Sequence, residues 1–410
     1  MPSVSVPPCV APAASSDAYE GDGDRGAASR EREEQAHRLL TEAFGASSAA
    51  PVATGAACGS VGVQARQTHY SDGFALLLPT HMGTTVALRR AETSRLAFAP
   101  KERVWAGASA SAPPWVRVAH RVLTVVCEGT AFEVGVVSSV PPGCRDGYWA
   151  GLAVALIRAI QALGVPTVLD IEQADVLRDA LVPRLATEVA HATEQPYGPA
   201  YLLSTFAGAR APVTLVDTET RESLPVRTDA RSALRWALVD PAGGRGERLQ
   251  TPAGLRRRKD QAEAALARLR REGFEGLTSF RNLEHRDLER ATRVLPPSLQ
   301  PIVRHLVTEN RRVQKHVAAL RRSDWQMVGA LLLMSHASLR DDWGGTTPAA
   351  NALVEGVESH THDGLYGACM TERGGGVLVV GRPHVFEDGL RELTRTVAAP
   401  EGAAPTVYEL

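Results

Sequence analysis

The sequence predicts an α+β protein built from two domains. Short runs rich in β-branched and aromatic residues, separated by turn residues, occupy much of the chain up to about residue 240. From there to about residue 340 the apolar residues have the spacing of long helices. A proline-, glycine- and charge-rich segment, PAGGRGER, lies between the two regions. We therefore predict a flexible tail over 1–30, an N-terminal domain over 31–245 and a C-terminal domain over 246–410.

The elements of the N-terminal region follow from local pattern. Residues 1–30 are rich in Pro, Ala, Ser, Gly and Asp and lack apolar periodicity, which is typical of a flexible tail. The spacing of Leu39, Leu40 and Phe44 predicts a helix over 31–44. We predict strands at 74–78, 84–88, 103–105, 122–126, 132–137 and 213–217, and helices at 151–163 and 171–192.

The C-terminal region is mainly helical in pattern. GLRRRKDQAEAALARLRREG, DLERATRVL and the long stretch that begins PSLQPIVRH predict helices joined by brief proline, glycine or Ser-Asp breaks. The basic run from Arg256 to Lys259 is interpreted as a solvated helix face rather than a nucleic-acid site. From residue 351 the pattern predicts a helix, the strand GGVLVVG and another helix.

Composition excludes several classes of function. The 410 residues carry a formal net charge of -1, so no global field recruits nucleic acid or an anionic membrane. There is no run of about 20 apolar residues and no secretion-signal pattern at the N-terminus. The five cysteines never occur as CxxC, which argues against a zinc knuckle or a disulfide framework. We expect a cytoplasmic protein that binds a small-molecule ligand and has no nucleic-acid or membrane partner. The sequence leaves a protein partner open.

Motifs in the second half resemble a known family. SHASLRDDW from Ser335, the later Pro348 and NALVEGV from Asn351 match, in order, the SHxSLRDDY, proline and LDxLVEIA segments of galactokinases, which belong to the GHMP small-molecule kinases. QTHYSDGFALLL from Gln67 is similar to the family's HTDYNDGFVLP, and VPPGCRDGYWAGLAVA from Val140 takes the place of its phosphate loop, VPIGAGLSSSAALEVA. The resemblance spans roughly residues 36–390 and implies the two-domain GHMP-kinase fold, with a mixed N-terminal sheet, a helix-rich C-terminal domain and a ligand cleft between them.

The sequence differs from the family at the positions where the family has its catalytic and sugar-binding residues. The resemblance implies an arginine and an aspartate beside the reacting sugar hydroxyl, and ungapped counting places these positions at Ser60 and Tyr201. The family's sugar-binding Glu-His-Thr-Asp reads Arg-Gln-Thr-His from Arg66 to His69, and the tyrosine of its YNxR motif is Gly254. An acidic sugar site has become basic.

The phosphate-binding segments differ as well. The loop keeps Gly143, but the family's GLSSS reads Arg145-Asp146-Gly147-Tyr148-Trp149, which puts bulky rings where a backbone would approach phosphate. The third family motif, MTGGGFGG, reads MTERGGG from Met370. The family's metal-sharing glutamate falls on Val189, beside Glu188.

These residues define a candidate pocket without assigned catalytic residues or metal ligands. Its members are Ser60, Arg66, Gln67, His69, Tyr201, Gly254, Thr371, Glu372 and Arg373, beside a degenerate phosphate loop of Gly143, Arg145, Asp146, Gly147, Tyr148 and Trp149. The aromatic pair of the loop suits packing or a stacking wall for a base or sugar. His360 and His362 are interpreted as a solvated turn.

Three functions remain open. The first is a ligand-sensing or partner-binding pseudokinase. The second is a repurposed enzyme of sugar or nucleoside metabolism, in which Arg66, His69 and Tyr201 act on a sugar phosphate or nucleotide. The third is a divergent sugar kinase that uses ATP and magnesium on a galactose-like or modified sugar, with a phosphate clamp rebuilt from Arg145, Glu188 and Arg373. Ordinary galactokinase activity is expected to be lost.

Overall fold

The computed structural model describes residues 23–46, 50–99, 104–107, 109, 111–141, 144–170, 172–208, 212–241, 251–371, 375–396 and 405–410. Within them, strands and helices form an α+β fold with one sheet in each half of the chain, as predicted. Residues 1–22 of the tail predicted over 1–30, and the candidate residues Gly143, Glu372 and Arg373, lie outside the described residues. Within the described part, no helix is both long and apolar enough to cross a membrane.

The larger sheet belongs to the N-terminal half. Its strands are β1 (Ala53–Gln64), β2 (Phe74–Ala91), β3 (Arg95–Phe98), β4 (Trp105–Ala106), β5 (Ala131–Ser138), β6 (Val213–Asp217) and β7 (Glu222–Val226). The order is β4-β3-β5-β2-β6-β7, with β1 on the other edge of β2. The sheet is mixed, because β3 runs parallel to β5 while the other neighbours are antiparallel.

The described N-terminal half also contains helices, of which the first, third and sixth contact this sheet directly. The helices are α1 (Gly23–Phe44), α2 (Pro114–Val126), α3 (Arg145–Ala162), α4 (Ala174–Val176), α5 (Val182–Thr193), α6 (Ala200–Ala207) and α7 (Ala230–Ala233), with a π-helical turn at Leu177–Leu181 between α4 and α5. The small side chains of α3 let it lie directly on β1 and β2. Most residues of α3 are consequently buried.

The C-terminal half contains the smaller sheet and the long helices. The elements are β8 (Arg235–Asp240), α8 (Pro252–Arg271), α9 (Leu288–Arg293), α10 (Gln300–Arg321), α11 (Trp325–Ser338), α12 (Pro348–Ser359), β9 (Leu365–Met370), β10 (Val377–Gly381), α13 (Pro383–Thr396) and β11 (Thr406–Glu409). The strand order is β11-β8-β10-β9. A π-helical segment, Leu339–Trp343, extends α11.

An apolar cluster joins the two halves. Val61 and Leu76, from β1 and β2, pack with Val313 of α10, Leu331 of α11 and Leu378 of β10, all of them buried. Burial of aliphatic side chains across the junction stabilises the association of the domains. The loop between β1 and β2 is thereby held against α10.

One predicted strand is wrong. Residues 122–126 lie in α2, not in a strand. The valine-rich run suggested a strand, but the buried residues Val116, Ala119, Leu123 and Val126 recur at three to four positions, which is helical spacing. Pro114 at the start of the helix fits its first turn.

Several boundaries also differ from the predictions. The strands predicted at 74–78 and 84–88 are parts of one long β2, because β1 changes register opposite Pro79 and thereby accommodates a residue that cannot donate to the ladder. Helix α1 begins at Gly23, inside the predicted tail. Strand β8 pairs with β10 and β11, so the C-terminal sheet begins before residue 246.

Candidate functional site

The loop between β1 and β2 carries the candidate residues Arg66, Gln67 and His69, and all three side chains are fully buried. The loop is fixed from within, because Thr68 Oγ1 donates to the Phe74 carbonyl at 2.7 Å. It is also fixed by α10, whose Asn310 Oδ1 accepts from the Phe74 amide at 2.9 Å. Gln67 has a φ of 64°, a conformation that a side chain adopts only where surrounding contacts hold it.

Arg66 connects the loop to the C-terminal half. Its Nε donates to the Met370 carbonyl at 3.3 Å, and its Nη1 donates to the Val63 carbonyl. Its backbone amide faces Glu309 Oε1 at 3.4 Å, and its carbonyl oxygen accepts from His305 Nε2 at 3.2 Å. Arg66, which sequence counting aligns with an acidic sugar contact of the resembled family, therefore links the two halves of the chain by hydrogen bonds.

Glu309 on α10 is the centre of this buried network. Its carboxylate accepts from Ser335 Oγ at 2.8 Å and from Arg312 Nε at 2.8 Å. Burial opposes its ionisation, but the charges of Arg312 and Arg66 outweigh burial and hold the pKa of the Glu309 carboxyl below its ordinary value. Glu309 is thus a buried anion that holds α10, α11 and the β1–β2 loop together.

Three buried histidines surround the network. Burial lowers the pKa of His305 to about 4, of His316 to about 3 and of His336 to about 4, so all three are neutral at neutral pH. His316 Nδ1 lies 3.3 Å from Gln64 Oε1. His336 accepts from the Met370 amide at 3.2 Å through Nδ1, and its Nε2 donates to Asn351 at 3.1 Å.

A second group of candidate residues meets at the start of α3. His69 Nε2 lies 3.7 Å from Asp146 Oδ2, with both side chains almost entirely buried. The His69 ring makes an edge contact with Tyr201, at 5.6 Å between ring centroids. Asp146 lies in the first turn of α3, where the helix dipole favours a negative charge.

Ser60 and Tyr201 lie inside the same group. A Cβ on Gly147 would stand 2.0 Å from the Ser60 carbonyl oxygen, so the first turn of α3 lies directly on β1 and encloses Ser60. The Tyr201 hydroxyl lies over Gly62, where an added Cβ would be 2.7 Å from it. The structure therefore brings Ser60, His69, Asp146, Gly147 and Tyr201 together in a tightly packed place.

The aromatic residues of the degenerate loop pack among other rings. Tyr148 and Trp149 are half-buried and lie 4.8 Å apart in an edge arrangement, and Phe98 is 6.4 Å from Tyr148. Burial raises the pKa of the Tyr148 hydroxyl. Glu188, the alternative metal ligand, forms an ion pair with Arg121 of α2.

The remaining candidates serve local structure. The Gly254 amide donates to Thr251 Oγ1 at 3.1 Å in the first turn of α8. The Thr371 amide and Oγ1 both donate to the Gly376 carbonyl, at 2.6 and 2.9 Å, and so fix the ends of the turn between β9 and β10. His360 Nδ1 donates to the Gly356 carbonyl at 2.8 Å, and the side chain of His362 lies outside the described residues.

Sequence reasoning missed the polar face of α10. His305, Glu309, Arg312 and His316 recur at four, three and four positions, so they share one face of the helix, and all are buried. The recurrence of His, Glu and Arg at helical spacing along one face of α10 was the signal that could have identified this network.

Comparisons with known proteins agree with this architecture. No protein-family model matches the chain. Over 382 residues it is 28% identical to the galactokinase of Streptomyces coelicolor, covering 88% of this chain and 92% of that protein. Over 364 residues it is 28% identical to the galactokinase of Homo sapiens, covering 84% and 86% of the two chains.

Solved structures show the same fold. The Lactococcus lactis galactokinase complexed with galactose superposes with a TM-score of 0.75 at 19% identity, covering 92% of this chain and 97% of that chain. The mevalonate kinase of Methanococcus jannaschii superposes with a TM-score of 0.55 at 10% identity, covering 89% and 98%. The chain thus has the fold of the GHMP small-molecule kinases. Its sequence is similar to galactokinases over most of its length.

The fold family implies a magnesium nucleotide at the start of α3, and the residues present there do not fit one. The buried carboxylate of Asp146 lies where the helix N-terminus would meet phosphate, and like charges repel. Among the described residues, no group of three His, Cys, Asp or Glu side chains could hold a metal ion.

Proposed function

We propose that this galactokinase-like protein lacks galactokinase activity and acts as a pseudokinase, which binds a sugar, sugar phosphate or nucleotide without transferring phosphate. The observation that carries the proposal is the enclosure of Ser60 and Tyr201 beneath the start of α3. These are the positions of the family's arginine and aspartate. Neither a serine hydroxyl nor a phenol supplies the charge of the residue it replaces.

General principles of enzyme catalysis give the size of the expected loss in reaction rate. A positioned general base contributes about 10²–10⁴-fold to rate, and a group that stabilises transition-state charge contributes about 10²–10³-fold. Loss of both leaves an enzyme without useful turnover.

The phosphate end of the site supports the same proposal. Asp146 faces His69 at 3.7 Å, so an internal carboxylate occupies the place of an anionic ligand at the helix N-terminus. A phosphate group would have to displace that pair and would meet its negative charge.

The pseudokinase is preferred to the repurposed enzyme. A new general acid or base must reach its substrate, and His69 and Tyr201 are buried among protein atoms. A small-molecule ligand remains part of the proposal because the Lactococcus lactis relative of the same fold is complexed with galactose. We also propose a cytoplasmic location, where the thiols of Cys127, Cys144 and Cys369 would stay reduced.

Calorimetry tests the binding part of this proposal. The purified protein would be titrated with magnesium ATP, with magnesium ADP, with galactose, and with a panel of sugar phosphates and nucleosides. The Streptomyces coelicolor galactokinase would serve as positive control. We expect one of the sugars, sugar phosphates or nucleosides to bind, and we expect a phosphate-transfer assay with magnesium ATP to show no transfer to that ligand. Transfer of phosphate from ATP to any sugar would contradict the proposal and establish the divergent sugar kinase instead.

A matched pair of variants locates the ligand. Asp146→Asn removes the negative charge at the start of α3 with little change of shape, whereas Asp170→Asn removes a charge from an exposed loop. If the ligand carries phosphate and binds at α3, Asp146→Asn tightens its binding and Asp170→Asn leaves it unchanged. Equal affinities in both variants would place the ligand elsewhere.

A further inference from the structure

Three buried side chains between the β1–β2 loop and α10 have hydrogen-bond donors that find no partner among the described residues. The donors are Gln64 Nε2, Arg66 Nη2 and Arg312 Nη2. Gln64 and Arg66 are completely buried, and Arg312 is 7% exposed. A buried polar group left unpaired is costly, so three such donors within one network point to a partner from outside the chain.

The three residues belong to one connected network. Gln64 and Arg66 lie two positions apart at the end of β1, and Arg312 lies on the face of α10 that packs against them. Arg312 Nε and the Arg66 amide meet at the Glu309 carboxylate, at 2.8 and 3.4 Å. His316, one turn beyond Arg312, reaches Gln64 at 3.3 Å.

His316 also sets the direction of the glutamine amide. Its Nδ1–H donates to Gln64 Oε1, so the amide nitrogen of Gln64 is the end that remains available. In this tautomer His316 Nε2 is an acceptor and takes no part in holding an anion. The available groups of Gln64, Arg66 and Arg312 are all donors.

The charges in the network do not balance. Within the described part of the chain, the Arg312 guanidinium pairs with the Glu309 carboxylate, and the Arg66 guanidinium, which donates to the Met370 and Val63 carbonyls, acts on that same carboxylate only through its charge. The neighbouring histidines are neutral, and Asp342 is paired with Arg304 on the outer side of α10. One positive charge is left buried, which is strongly unfavourable without a counterion.

We propose that a small monovalent anion of the chloride class binds here, held by Gln64, Arg66 and Arg312. A water molecule would accept two of the donors and would leave the charge unbalanced. Complete burial favours a small anion, and the single excess charge favours a monovalent one. The anion joins the β1–β2 loop to α10, and this role is independent of any ligand at the start of α3.

Thermal unfolding at constant ionic strength tests this site. Sodium chloride would replace sodium gluconate in steps, with sodium bromide, sulfate and phosphate in parallel series. An anion that binds only the folded state raises the unfolding temperature with saturation, and we expect about 3–6 °C at full occupancy with chloride or bromide. An unfolding temperature independent of the anion, or a saturating rise with sulfate or phosphate alone, would overturn the proposal.

A variant that adds a negative charge at the proposed site, compared with a matched control, tests whether the chloride response arises at Gln64. Gln64→Glu places a carboxylate where the anion would lie, whereas Gln161→Glu adds the same charge at an exposed position of α3. The first variant is expected to lose the chloride response and to match or exceed the wild-type unfolding temperature in gluconate, while the second keeps the response. Retention of the full chloride response by Gln64→Glu would overturn the assignment.

Anomalous scattering tests the wild-type protein even if the variant fails to fold. Crystals grown or soaked in bromide are expected to show an anomalous peak within contact of Arg66 and Arg312. Ordered water at that place, without a bromide peak, would refute the anion site.

Discussion

Gly147 lies so close to Ser60 that a Cβ on the glycine would stand 2.0 Å from the serine carbonyl oxygen. The first turn of α3 therefore lies directly on β1, and the absence of a side chain at residue 147 makes this close approach possible. The same packing encloses Ser60, which is buried.

Substitution of this glycine tests the contact. Gly147→Ala must separate α3 from β1 and is expected to lower the free energy of unfolding by about 1–3 kcal/mol. Gly254→Ala is the matched control, because its added Cβ would meet only Thr251 Oγ1 at 3.4 Å in the first turn of a helix, where alanine is favoured. Urea unfolding of both variants measures the difference, and equal stabilities would contradict the described packing.

The Glu309 carboxylate is expected to dominate the stability of the domain junction. Glu309→Gln keeps the shape but leaves Arg66 and Arg312 without a counter-charge, which should cost about 3–5 kcal/mol. Ser335→Ala removes only one donor to that carboxylate and should cost about 0.5–1.5 kcal/mol. Chemical denaturation measures the free energy of unfolding of both variants. If Glu309→Gln lost less of this free energy than Ser335→Ala, the negative charge of Glu309 would not be needed in the network.

The buried histidines predict a loss of stability in weak acid. Folding lowers the pKa of His305, His316 and His336 to about 4, 3 and 4 from 6.5, so the unfolded chain binds more protons over this range. The stabilisation is complete above about pH 6.5 and is lost as the pH falls towards 4, by up to about 1.4 kcal/mol per pH unit for each histidine. Glu309 adds its own loss only at lower pH, because its pKa is lowered from 4.5.

A histidine variant makes this pH dependence specific. His336→Gln is expected to reduce the slope of unfolding free energy between pH 6.5 and 4 by up to about 1.4 kcal/mol per unit. His37→Gln, at an exposed position of α1, should leave the slope as in the wild type. Urea titrations at several pH values give both slopes, and an unchanged slope in His336→Gln would refute the buried neutral state.

Restoring the family's aspartate is expected to harm the protein rather than to restore activity. Tyr201→Asp leaves a cavity and buries a carboxylate, which should cost about 3–5 kcal/mol. Tyr201→Phe keeps the ring that packs on His69 and should cost less. A stable Tyr201→Asp protein that phosphorylates galactose would show that the enclosure is not a barrier to chemistry.

The α+β fold could be predicted from sequence, because apolar periodicity and the galactokinase-like motifs both report packing. Helix α10 and the strand that follows MTERGGG were found in this way. Strand β1 was missed, since its run of alanine and glycine carries little β-branched signal and its strand state depends on pairing with β2. The valine-rich α2 was misassigned because composition was given more weight than spacing.

The site was predicted only in part. The sequence pointed to Arg66, His69 and Tyr201, but not to the burial of all three. Burial of Arg66 depends on Glu309 and Met370, which lie more than two hundred residues away in the chain, and a single sequence does not reveal such contacts.

Phosphate transfer tests the central claim most directly. Formation of ADP and of a phosphorylated sugar would be followed with magnesium ATP and galactose, at enzyme concentrations a thousandfold above those needed for the Streptomyces coelicolor galactokinase run alongside. The enclosed positions of Ser60 and Tyr201 predict no sugar-dependent ADP above the background of a sample without protein. Sugar-dependent ADP accompanied by phosphorylated galactose would contradict the account and make this protein a working kinase.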